Sequence, residues 1–262
     1  LQSIADLLQS DGDRTIGNFS GLSIRSHFQP IFSIDHSRTV GFEGLMRPSD
    51  RDANPVSPLD AFAKARDFPH IPTLDALASA VHLHNFLHLN ADGWLFLNMN
   101  IEIFLASVRE GNFLDEMLHA TGFPPHRVVI EILEHGVQNE LRLGEALQFF
   151  RKRGFLIALD DFGAGHSNFD RVWNLQPDIV KLDRSMITQA SSNLRLRRML
   201  PAMVSLLHEA GSLVLMEGIE TAGEALMAMD VDVDFVQGYY FGPPAESLPD
   251  EAKYRAVFDQ IK

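Results

Sequence analysis

NELRLGEALQFFRKRGFLIALDDFGAG, residues 139–165, contains one complete unit of the fold. An Asn cap opens a stretch with apolar residues at helical spacing, Gly154 closes it, and the apolar run 155–160 follows as a strand ending on aspartate. A strand reached through a helix that crosses back over a sheet pairs parallel with its predecessor. The alternation recurs along the chain: strand-like runs occupy 24–34, 39–47, 94–100, 127–134, 155–160, 179–183, 212–217 and 235–238. Between them lie helical patterns such as SPLDAFAKARDF, TLDALASAVHLHNFLHL and NLRLRRMLPAMVSLLHEAG. Eight such strands in 262 residues predict an α/β fold, a closed (β/α)8 TIM-like barrel rather than an open sheet. The first pair departs from the rule: only HSRT, 36–39, separates its two runs, which is too short for a crossover helix and predicts an antiparallel hairpin.

Six stretches carry carboxylates, an Asn or a Lys at or near the ends of these runs: FEGLMR (42–47), LNMN (97–100), IEILE (130–134), ALDDFGAG (158–165), VKLD (180–183) and LMEGIE (215–220). A strand buried on both faces is apolar throughout, so an acidic group there is costly unless a cation or hydrogen-bond donor meets it. Barrels gather functional groups at the carboxyl ends of their strands. Glu43, Asn98, Glu131, Asp160, Lys181, Glu217 and Gln237 are therefore expected to converge. Carboxylates and an amide oxygen are hard donors that suit Mg²⁺ or Mn²⁺. Asp160 is placed to bridge two ions and Asp161 to bind one, an arrangement that serves phosphoryl displacement; Gly163 and Gly165 would permit the turn that follows. Taken singly the pieces have simpler readings: a turn or cap for the Asp pair, a surface lysine for Lys181, and a solvent pair with Asp50 or Asp52 for Arg47.

Composition narrows the function classes. With 45% hydrophobic residues the chain can bury a full core, as one large domain or two small ones. It has no cysteine, which excludes disulfides, thiolate metal sites and cysteine nucleophiles, and fits a reducing cytoplasm. Asp and Glu outnumber Lys and Arg by 35 to 22, for a net charge of −13, which argues against binding bulk nucleic acid or an anionic membrane. No stretch has the roughly 20 consecutive apolar residues that a bilayer span requires.

Leu1, Ile4, Leu7 and Leu8 fall at helical spacing, so residues 1–22 are expected to form a lead-in or linker helix from a preceding sensory or regulatory module, and 23–262 the barrel. A frayed terminus is the alternative. His82, His84 and His88 crowd one predicted helix without a metal-site context, and are read as surface or internally satisfied groups.

In order and spacing, FQPIFS, FEGLMR, LNMN, IEILEH, DDFGAGHSNFDRVWNLQPDIVKLD, MEGIET and VQGYYFGPP resemble the EAL-domain family of cyclic-di-GMP phosphodiesterases, from about Ile24 to Pro244. The resemblance implies a modified barrel with an antiparallel first strand, and hydrolysis of cyclic-di-GMP to linear pGpG with two divalent cations, Mg²⁺ or Mn²⁺, Ca²⁺ being inhibitory. It implies that Glu43, Asn98, Glu131 and Asp160 hold the first metal, with Asp160 and Asp161 on the second. It implies Lys181 and Glu217 as catalytic groups on the attacking water. Arg47, Gln29, Leu45, Glu220 and Gln237 are implied around the substrate, with Arg47 clamping phosphate, and Glu134 is implied to steady the loop after DDFG. A homodimer through that loop, whose apolar residues are Phe162, Phe169, Val172 and Trp173, and the adjoining helix is implied too.

Four positions depart from the common pattern. Gly44 replaces the middle Ala of the signature, an exchange expected to cost little beyond strand rigidity. Asn100 and Leu133 stand where Ser and Thr are frequent, and His166 replaces a frequent Tyr. None of these removes a metal ligand, so activity is expected. A cyclic-di-GMP receptor with weak catalysis is the alternative, and an unrelated metal-dependent barrel is a third reading that the ordered motifs oppose.

Overall fold

The computed structural model describes residues 4–66, 71–110, 113–133, 140–165, 169–248 and 257–258. Its strands are β1 (Leu8–Asp11), β2 (Arg14–Phe19), β3 (Leu22–Ser33), β4 (Arg38–Ser49), β5 (Trp94–Asn98), β6 (Val128–Leu133), β7 (Leu156–Phe162), β8 (Ile179–Leu182), β9 (Leu213–Met216) and β10 (Phe235–Val236). Among the described residues the helices are α1 (Ile4–Leu7), α2 (Pro58–Arg66), α3 (Ile71–His88), α4 (Ile101–Glu110), α5 (Phe113–Thr121), α6 (Glu140–Lys152), α7 (Phe169–Leu175), α8 (Arg184–Ser192), α9 (Leu194–Glu209) and α10 (Ala222–Asp230).

Strands β4 to β10 pair in parallel from neighbour to neighbour, and β3 closes the ring by pairing antiparallel with both β4 and β10. This is the expected eight-stranded barrel with its reversed first strand. The long β3–β4 hairpin overshoots the ring: β4 runs to Ser49 against β3, whereas its pairing with β5 stops at Gly44. Glu43 therefore lies in mid-strand rather than at a strand end, yet at the rim of the ring.

The N-terminal expectation is corrected. Among the described residues of this segment helix covers Ile4–Leu7, and β1 and β2 form a hairpin whose second strand pairs with Leu22–Ile24 of β3. The Asp11-Gly12-Asp13 turn, with Gly12 at φ 65°, reverses the chain, and backbone pairing outweighs a helical spacing carried by only a few apolar residues. Residues 169–174, expected within a connecting loop, begin α7 instead.

The helices cover the ring with their apolar faces. In α6 the buried residues are Leu143, Ala146, Leu147 and Phe150, an i, i+3, i+4, i+7 stripe. Phe150 stacks on Phe104 of α4 with centroids 4.6 Å apart and meets Phe149 and Phe155 edge-on. Replacing Phe150 with Ala is expected to lower unfolding free energy by about 3–5 kcal/mol, measurable as a shift of the urea midpoint without a change in slope.

Candidate functional site

Lys181 is the centre of the site. It is only 1% exposed, on a strand otherwise made of Ile179, Val180 and Leu182. A buried ammonium needs counter-charges, and four carboxylates supply them: Nζ lies 2.6 Å from Glu131 Oε1, 2.7 Å from Glu217 Oε1, 3.1 Å from Asp160 Oδ1 and 3.8 Å from Glu43 Oε2. Burial disfavours its charge, but Asp160, Glu131, Glu217 and Glu43 together hold its pKa well above the ordinary lysine value.

Register explains the convergence. Asn98 pairs with Glu131 on neighbouring strands, and Glu131 with Ala158, two residues before Asp160. Between β7 and β8 the ladder runs Leu159 to Val180 and then Phe162 to Leu182, leaving both Asp160 and Asp161 opposite Lys181. This bulge puts Asp161 in the left-handed region at φ 57°, where its amide donates to Asp160 Oδ1 at 3.0 Å. Gly163 continues the turn at φ 99°, and a Cβ there would sit 2.6 Å from the Met186 side chain.

Polar neighbours orient the rest. Glu43 accepts from Asn98 Nδ2 at 3.0 Å and from Gln237 Nε2 at 2.8 Å. Glu131 has no such support. Its Oε1 has the ionic contact with Lys181, and neither Glu131 oxygen has a well-directed hydrogen bond among the described residues. Burial drives the Glu131 carboxyl well above the usual range, against Lys181 and reinforced by Glu43 and Asp160. Burial likewise pushes Glu217 up to about 8, with Asp160 and Glu43 adding to the effect and Lys181 opposing it.

Glu43, Glu131, Asp160 and Glu217 thus share the Lys181 ammonium, Asp161 adjoins two of them, and Lys181 is the one cation that meets the buried Glu131 carboxylate among the described residues. That is the electrostatic profile of a cation site. Asp160, Asp161 and Glu217 each offer an oxygen within 4.8 Å of the others. The donor set, carboxylates with an Asn amide, fits Mg²⁺ or Mn²⁺. A divalent cation held by these groups in the folded chain alone would stabilise it, so Mn²⁺ at a hundred times its dissociation constant is expected to add about 2.7 kcal/mol, a rise in melting temperature that chelator reverses.

Two cavities adjoin at this rim. One, of about 330 Å³, is lined by Gln29, Glu43, Leu45, Asp160, Lys181, Glu217, Glu220 and Gln237 together with Arg184 and Tyr239. The other, of about 630 Å³, holds Arg47 with Asn98 and Glu131, and shares Leu45. Arg47 lines the larger cavity, with its charge felt by Tyr239 and Glu43 of the smaller one, and its Nη1 donates to its neighbour Met46's carbonyl at 3.0 Å. Glu134 and His166 lie outside the described residues.

Arg184, paired with Glu220 at 2.7 Å, and Asp75 were not anticipated. Asp75 lines the larger cavity, accepts from the Asn100 amide at 2.9 Å and is pushed by burial to about 6. KLDR, directly after the central lysine, was the available signal for Arg184; Asp75 sits in an apolar helical pattern where nothing marked it. His82, as expected, is satisfied: it is buried with Nδ1 2.7 Å from Ser26 Oγ.

A family model described as the EAL domain matches residues 18–244. The uncharacterized EAL-domain containing protein YkuI of Bacillus subtilis (strain 168) is 28% identical over 230 residues, covering 85% of this chain and 55% of YkuI. The crystal structure of YkuI in complex with substrate c-di-GMP and calcium matches with a TM-score of 0.77 over 91% of this chain and 61% of that one. The probable cyclic di-GMP phosphodiesterase PdeB of Escherichia coli (strain K12) is 25% identical over 248 residues, 93% of this chain and 46% of PdeB. The chain thus spans about half the length of each of these two curated relatives. Klebsiella pneumoniae BlrP1, in a manganese and cyclic-di-GMP complex, matches with a TM-score of 0.73 at 25% identity, over 85% of this chain and 56% of that one.

Proposed function

The chain belongs to the EAL-domain family, and from that premise we propose that it hydrolyses one phosphodiester bond of cyclic-di-GMP to give linear pGpG, lowering this second messenger in bacterial signalling. The observation that carries the proposal is the set of four carboxylates around Lys181, with Asp161 within cation-sharing distance of Asp160 and Glu217.

In this reading Glu43, Asn98, Glu131 and Asp160 would hold one divalent cation, and Asp160 and Asp161 a second. The pair would supply Lewis-acid stabilisation of the phosphate oxygens and acidify the attacking water. The chain's own groups do the remaining work. Lys181 keeps a fixed positive charge where the attacked phosphate meets the cluster. Glu217, at the open end of β9, accepts the proton of the attacking water. Gln237 and Asn98 hold the Glu43 carboxylate in place. Arg47 clamps phosphate, and its fixed charge with that of Lys181 reconciles an anionic substrate with an acidic protein. Gln29, Leu45 and Glu220 contact the nucleotide, and Glu134 steadies the loop after Asp161.

We further propose a cytoplasmic homodimer that joins through residues 161–174 and the adjoining helix, with the barrel over 23–262 and a regulatory module ahead of it. Trp173, 56% exposed on α7, supports the dimer, whereas Phe162 and Val172 are buried and Phe169 packs edge-on against Phe162. No helix among the described residues is long and apolar enough to cross a membrane. Incubation with cyclic-di-GMP and Mn²⁺, followed by chromatography, tests the activity. pGpG is expected; unchanged ligand that remains bound identifies a receptor, and neither binding nor product rejects the substrate.

A further inference from the structure

Gly44 lies between the metal-site residue Glu43 and the substrate-facing Leu45, where the family signature carries Ala. The exchange is not neutral in this chain. A Cβ at position 44 would lie 2.9 Å from His82 Cγ, closer than packed carbon atoms tolerate, and 3.1 Å from His82 Cβ and Cδ2, tighter than ordinary contact.

His82 cannot step aside cheaply. Its ring is buried on α3, its Nδ1 is 2.7 Å from Ser26 Oγ, and it packs edge-on against Phe28 with centroids 6.3 Å apart. Asn85, one turn on, donates to the Thr15 carbonyl at 2.7 Å and accepts from the Thr15 amide at 2.9 Å, which fixes the same helix against β2. His82 also lines the larger cavity with Gly44, Leu45, Met46 and Arg47. Burial, with Arg47 adding to it, lowers its pKa to about 3, so a neutral imidazole stands beside the guanidinium without repelling it.

We propose that His82 is a positioning residue for the substrate-facing segment 43–47, and that Gly44 is the notch that lets α3 approach β4 closely enough for it to act. A side chain at 44 must push apart α3 and β4, and the displacement falls on Leu45 and Arg47. The inference rests on the cyclic-di-GMP reading for its ligand and on the packing for its geometry.

By backbone entropy alone, restoring the family's Ala would stabilise a strand. The opposite is expected. Gly44→Ala should weaken cyclic-di-GMP binding in Ca²⁺, and raise KM, by about 10- to 100-fold, the scale of a small misplacement of a binding group, with kcat changed far less. His82→Asn keeps a polar partner for Ser26 on a smaller side chain, so Gly44→Ala combined with His82→Asn should recover affinity to within about twofold of His82→Asn alone.

Titration of cyclic-di-GMP into the four proteins in Ca²⁺, with KM, kcat and melting temperature measured for each, decides the matter. Gly44→Ala binding within about twofold of the parent overturns the inference, as does a double variant no better than Gly44→Ala. A lower melting temperature with unchanged affinity and KM overturns it too, because packing without positioning gives that result. A parent protein that does not bind cyclic-di-GMP overturns the functional reading and this inference together, whereas binding that Gly44→Ala leaves intact overturns this inference alone.

Discussion

Asp160→Ala should reduce cyclic-di-GMP hydrolysis by about 10³-fold or more, beyond the loss of a single electrostatic stabiliser, because one carboxylate serves several partners. Its Oδ1 is 3.1 Å from Lys181 Nζ and accepts from the Asp161 amide at 3.0 Å, and it shares a cation-sized cluster with Asp161 and Glu217. Its removal takes away the shared ligand and loosens the bulge that aims Asp161. The stability readout separates this from unfolding. In chelator the variant should still unfold in one cooperative transition, whose midpoint is its own reference for the metal titration. With Mn²⁺ the parent's melting temperature should rise and the variant's should not. Matching rises in both, measured by calorimetry, would remove Asp160 from the metal site.

Glu217→Gln should lower turnover by about 10²-fold or more while cyclic-di-GMP still binds in Ca²⁺. The residue follows the last residue of β9, and its Oε1 is 2.7 Å from Lys181 Nζ, so the amide keeps size and one polar contact but cannot take a proton. Arg47→Ala should divide the two effects the other way, weakening binding through the lost phosphate contact while leaving the cluster around Lys181 intact. Near-normal turnover of Glu217→Gln, measured at saturating substrate, would make it a structural residue and leave the water to another activator.

Several strands of the barrel were legible because strands buried on both faces appear as short apolar runs in which a lone polar residue stands out; Glu131 in Val128–Leu133 and Lys181 in Ile179–Leu182 are examples. The β3–β4 hairpin was legible from the shortness of its connection. The β1–β2 hairpin was not: its strands are almost wholly exposed or half-exposed and joined by backbone pairing, which leaves little alternation to read. Helix α7, seven residues long, begins close behind Gly163 and Gly165 and was hidden by them. In the site, residue types pointed to the metal class, but no sequence pattern gives the distance between strands. Arg47 in the larger cavity and the steric link between Gly44 and His82 emerge only when α3 is packed against β4.

Native mass spectrometry in a Mn²⁺-containing volatile buffer tests whether the rim around Lys181 is a two-metal centre without relying on turnover. Two Mn²⁺ per chain are expected in the parent protein, one in Asp161→Ala and markedly weaker occupancy in Asp160→Ala. A parent chain that retains no Mn²⁺, or a stoichiometry of two that both substitutions leave unchanged, would contradict it.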